Sequence, residues 1–114
     1  MTLSKLTLSE KQQLFASMVP RLIDFAYGQG YAVTLGDAYR SPAVPYGHKN
    51  SLHRKRLAID LNLFKDGVYL TDTDDHAPLG AYWMNLHPAN RWGGIDGKDG
   101  NHYSSFAEDY GMTY

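Results

Sequence analysis

Across residues 56–64 the chain alternates: Leu57, Ile59, Leu61 and Leu63 occupy one set of positions, and Ala58, Asp60 and Asn62 the other. A period of two is the signature of a strand with one apolar and one polar face. A chain carrying it must build a sheet and cover the apolar side. The polar side holds a carboxylate in mid-strand, which is expensive to bury unless it is paired or bound to a metal. Asp60 is therefore the first residue that asks for a chemical explanation.

The rest of the pattern predicts what covers that sheet. Residues 9–27 read as a helix, with Ser9 and Gln12 as a capping pair and a stripe of Leu14, Met18, Leu22 and Phe25 or Ala26. Pro20 should kink or split it, and Gly28 and Gly30 should end it. Residues 31–35 predict a strand and residues 37–50 a loop. Asp66-Gly67 is a hairpin signal leading into a short strand over 68–70. Residues 71–75 read as an acidic loop and residues 78–86 as a short helix carrying Leu79, Tyr82, Trp83 and Leu86. Residues 90–100 read as a glycine-rich loop and residues 101–105 as a last strand. The expected fold is a single α+β domain over 1–114. Its sheet should be small and mostly antiparallel, with helices packed against it and the site on its open face.

At 114 residues there is room for one compact domain. The formal net charge of -1 gives no electrostatic footprint for nucleic acid. The absence of cysteine excludes disulfides, thiolate metal sites and a cysteine nucleophile, so any metal must be held by His and carboxylate groups. Residues 1–13 lack an apolar stretch of signal-peptide type, and no run is long enough to span a bilayer.

His53 lies just before the alternating strand, Asp60 on its polar face, and His102 on the last strand. Two histidines and one carboxylate would leave a fourth tetrahedral position open, which is the pattern of a catalytic zinc site. Spacing alone leaves other readings open. His53 would then be an exposed loop histidine, Asp60 a partner of Arg54 or Arg56, and His102 a solvent-facing strand residue.

Ser51-Leu52-His53 followed by Leu57-Ala58-Ile59-Asp60 resembles the S-x-H-x(6)-D signature of the D-alanyl-D-alanine carboxypeptidase family of metallopeptidases. Trp92-Gly93-Gly94 with Asp99-x-x-His102 resembles the second signature of that family, and Tyr39-Arg40-Ser41 its upstream element. The three occur in the family's order. Asp99, where carboxypeptidases and dipeptidases usually carry Glu, makes the resemblance closest to the short phage endolysins that cut the L-alanyl-D-glutamate bond of peptidoglycan stem peptides. The resemblance implies Zn2+ held by His53, Asp60 and His102, with Asp99 as general base on the attacking water. It also implies Arg40 as a carboxylate or oxyanion anchor, with Ser51 hydrogen-bonding within the site. Three departures stand out. Asp96 is a rival for the base, Tyr103-Ser104 replaces Phe-Glu after the last histidine, and Arg56 replaces a glycine at the turn into the strand.

Trp92 divides evenly between a substrate-binding cleft wall and the core, whereas Trp83, at helical spacing, reads as core. His48, His76 and His87 read as a solvated loop residue, part of a solvated turn and a helix end. The acidic run at 72–75 lacks the glycine and terminal Glu of a calcium loop. The expected partner is a peptidoglycan stem peptide, with no nucleic acid, no membrane insertion and a monomeric protein. The expected location is the host cytoplasm before lysis, then the cell wall. Two rivals remain: a D-alanyl-D-alanine carboxypeptidase or dipeptidase with the same metal site, and a non-catalytic, zinc-stapled wall-binding or virion module.

Overall fold

The computed structural model describes residues 5–46, 51–96 and 98–114. Helix α1 (Leu8–Gly28) is followed by strands β1 (Ala32–Leu35), β2 (Ala58–Lys65) and β3 (Val68–Leu70). Helix α2 (Ala77–Leu86) and strands β4 (Asn90–Trp92) and β5 (His102–Ser105) complete the fold. Short 3-10 turns at Leu52–Lys55, Thr73–His76, Gly93–Asp96 and Ala107–Tyr110 join them. The expected α+β class holds: every strand pairing is antiparallel, in the order β1-β2-β5-β4, with β3 added to β2.

The alternating strand is the centre of the sheet. Its first half pairs with β5 and its second half with β1 and β3. Leu57, Leu61 and Leu63 are completely buried and Ile59 nearly so, while Asp60 and Asn62 are half-buried on the other face. Asp66 and Gly67 both take positive φ, 51° and 80°, as a two-residue hairpin with matched twist requires.

Helix α1 covers the apolar face with Phe15, Met18, Leu22 and Ala26. Phe15, not Leu14, completes the stripe, and Lys11 extends it. The cap is two residues earlier than Ser9 and Gln12 suggested: Thr7 and Glu10 bond reciprocally as a capping box. Pro20 neither splits nor ends the helix, which runs unbroken to Gly28. Pro20 and Ala16, whose carbonyl loses its helical partner, both lie on the exposed side, where water can take over the bond. The helices meet through an edge contact of Phe15 on Trp83 and a stack of Phe25 on Tyr82.

The stretch 90–100 is not simply loop. Asn90–Trp92 forms an edge strand on β5, and Gly93–Asp96 a 3-10 turn. Trp92 is buried, with its indole N–H donating to the Gly100 carbonyl at 2.7 Å. The ring lies flat against Gly80 of α2 and Gly94, where any Cβ would overlap it. Gly80→Ala is therefore expected to destabilise the fold by about 1–3 kcal/mol through overpacking, read as a lower midpoint in urea unfolding.

Candidate metal centre

Register brings the first two ligands together. Asp60 on β2 and His102 on β5 are direct cross-strand partners, so their side chains leave the sheet on the same face. His53 arrives from the 3-10 turn that precedes β2. Ser51 caps that turn, its Oγ accepting the His53 backbone N–H at 3.2 Å. Arg56 closes the turn at φ 57°, a left-handed position that explains a glycine preference there. The Arg56 guanidinium lies 3.9 Å from the centre of the Tyr39 ring, a contact no glycine offers.

The ligand atoms of His53, Asp60 and His102 all lie within 4.8 Å of one another, and both histidines are buried. Among the described residues this is the one such group of His, Asp or Glu side chains. His53 Nδ1 stands 2.8 Å from the Ala38 carbonyl, which only accepts, so Nδ1 carries the proton and Nε2 is the free ligand atom. That Nε2 and His102 Nδ1 both point at Asp60 Oδ1, at 3.1 and 3.2 Å.

This arrangement tests itself for a cation. A neutral His53 would set a lone pair against a carboxylate oxygen, so a proton or a metal must lie between them. Without metal the proton does so. Burial works against a charged His53, but the hydrogen bond and charge of Asp60 outweigh it and its pKa is raised. Burial likewise opposes ionised Asp60, yet His102 and His53 hold its pKa down to about 2. The group can hold a metal ion.

Asp99 joins the group in a cleft of about 360 Å³, together with Arg40 and Ser51. Glycine chemistry sets Asp99 there. Gly93 lies against the Asp99 carbonyl and the His102 Cβ, so a side chain at Gly93 would push the two apart. The His102 N–H donates to the Asp99 carbonyl at 3.1 Å, which fixes the spacing of the acid and the histidine. Burial pushes the Asp99 carboxyl up, the charge of His102 lowers it and the charge of Asp60 raises it, for a net upward shift. Asp96, the rival, is exposed, accepts from the Lys98 N–H at 3.2 Å and does not line the cleft.

Arg40 is buried and hydrogen-bonds Asp37 at 3.0 Å, with its guanidinium over the Tyr46 ring. Its Nε is buried with no hydrogen-bond partner among the described residues. The Arg40 N–H donates to the His53 carbonyl at 3.0 Å, tying its loop to the ligand turn.

Other residues fall elsewhere. Trp92 belongs to the core and not to the cleft wall: the two flanking glycines draw the indole inward. Trp83 is fully buried, as expected, and donates to the Ser104 carbonyl. His76 is buried rather than solvated, its Nδ1 2.7 Å from the Tyr103 hydroxyl, and burial lowers its pKa. His87 caps α2. His48 lies outside the described residues. The acidic run forms a turn closed on itself, with the Asp72 N–H donating to Asp75. Thr73 of that turn receives the Gly100 N–H at 3.2 Å and so buttresses the Asp99 loop. Sequence reasoning missed that buttress, and it also missed residues 112–114, which line the cleft. Neither carries a motif.

No protein-family model matches the chain, and no curated protein matches it. No helix of the described residues is long and apolar enough to cross a membrane.

Proposed function

We propose that this protein is a zinc-dependent peptidase of bacterial cell walls that hydrolyses the L-alanyl-D-glutamate bond of peptidoglycan stem peptides, as a phage endolysin does. The observation that carries the reading is the convergence of His53, Asp60 and His102 in one cleft with Asp99 and Arg40. The ordered resemblance of the motifs around them to the D-alanyl-D-alanine carboxypeptidase family supplies the substrate class.

The donor set of two imidazoles and one carboxylate, in a chain with no thiolate to offer, suits zinc. Bound there, zinc would bring the pKa of water toward neutrality and polarise a substrate carbonyl. Asp99 takes the proton from the attacking water and returns it to the departing amine nitrogen. Its raised pKa fits a group that must hold a proton for part of the cycle. Arg40 anchors the substrate carboxylate with a fork already steadied by Asp37 and Tyr46. Ala38 and Ser51 hold His53 in the tautomer and turn that ligation needs.

Digestion of purified peptidoglycan with zinc-loaded protein, followed by mass analysis, tests the reading. Expected products are fragments with new amino groups on D-glutamate, and a chelator should prevent their formation. Loss of a single terminal alanine would identify a carboxypeptidase instead. Zinc binding with no release of amino groups would identify a non-catalytic module.

A further inference from the structure

Residues 112–114 are absent from every motif, yet all three line the metal cleft. Tyr114 lies edge-on to His102, with ring centres 5.7 Å apart, and its phenol reaches toward Asp96 at the end of the Gly93–Asp96 turn. The ring is thus set between a ligand and the loop that carries the base.

The path of the chain holds it there. The Ala107–Tyr110 turn is pinned to α1 by Lys11, a buried lysine whose ammonium lies 2.9 Å from Asp109 and over the rings of Tyr110 and Phe106. Lys55, from the turn that carries His53, also lies over the Tyr110 ring, 4.8 Å from its centre. Gly111 then turns the chain at φ 74°, and the Met112 N–H donates to the Ala107 carbonyl at 2.9 Å. A pinned turn followed by a left-handed glycine delivers the next residues to a defined place, as in a helix C-cap. That place is the cleft.

We propose that Tyr114 is a substrate-contacting residue, its ring forming the wall against which the peptide packs on the His102 side of the cleft. Arg40 and Tyr114 then divide the work: Arg40 takes the carboxylate, and the ring packs the peptide plane or an aliphatic side chain beside it. An aromatic ring suits this role because it offers area with little conformational entropy to lose. The ring, and not the hydroxyl, is the contact. The proposal rests on the peptidase reading above.

The test is made in zinc-loaded full-length protein carrying Asp99→Asn, so that a stem peptide binds without being cut. Calorimetric affinity for a synthetic L-alanyl-D-glutamyl stem peptide is compared with and without Tyr114→Ala and Tyr114→Phe. Zinc content and thermal midpoint are measured on each protein. Tyr114→Ala should weaken peptide binding about tenfold, whereas Tyr114→Phe should stay within about twofold of the parent. Zinc stoichiometry should be unchanged in both. Equal peptide affinity in the Ala variant would overturn the role of Tyr114 and leave the peptidase reading standing. Loss of zinc or fold in both variants would overturn it too, by showing that Tyr114 only supports His102. Failure of every protein to bind the peptide would overturn both readings together.

Discussion

Asp99→Asn is expected to lower peptidoglycan hydrolysis by about 10²–10⁴-fold while zinc remains bound at one ion per chain. Asn keeps the size and the backbone hydrogen bond to His102, which uses the Asp99 carbonyl and not its carboxylate. What is lost is a group able to accept and return a proton beside the ligands. The parallel Asp96→Asn variant should retain activity within about threefold, since Asp96 is exposed and outside the cleft. Amino-group release and metal analysis on the same samples separate the two effects. Equal losses in both variants would remove the assignment of Asp99 as base, and loss of zinc in Asp99→Asn would make it a ligand.

What could be read from the residues, and what could not, follows from the range of each interaction. The β2 alternation was legible because a period of two has one structural meaning, and β2 indeed became the central strand. The Asp60–His102 pairing was not legible, since cross-strand register depends on which edge β5 takes. The resemblance to a known family stood in for it. Pro20 misled because its cost depends on which side of the helix faces water, and that is decided by packing against the sheet. Asn90–Trp92 was hidden as a strand by the glycines after it. Those glycines serve the Trp92 ring and the Asp99 loop, and they do not signal a flexible connection. Residues 112–114 gave no sign at all, because their place in the cleft is set by Lys11, about a hundred positions away in the chain.

Asp60→Asn is expected to reduce zinc affinity by at least about 100-fold, and to change how stability responds to pH. In the metal-free protein Asp60 and His53 act as an ion pair, and the signs follow from their shifts. The pKa of Asp60 is depressed to about 2, so its contribution is present in full above its unfolded pKa and is lost as pH falls through the folded value. The pKa of His53 is raised above 6.5, so its contribution is complete below 6.5 and is lost as pH rises through the folded value. In the metal-free protein this pair should therefore contribute most in mildly acidic solution and fade as pH rises through the folded His53 value. Bound zinc would reverse the upper limb. It would compete with the proton on His53, so its affinity should rise over the same interval in which the ion pair fades. At free zinc about 100 times its Kd the ion adds about 2.7 kcal/mol. Thermal midpoints measured from pH 5 to 8, with zinc and with chelator, should diverge as pH rises. In Asp60→Asn the two curves should collapse onto one, without the fall that His53 imposes on the metal-free parent. Parallel curves in the parent would show that no ion competes with the His53 proton, and the metal centre would have to be abandoned.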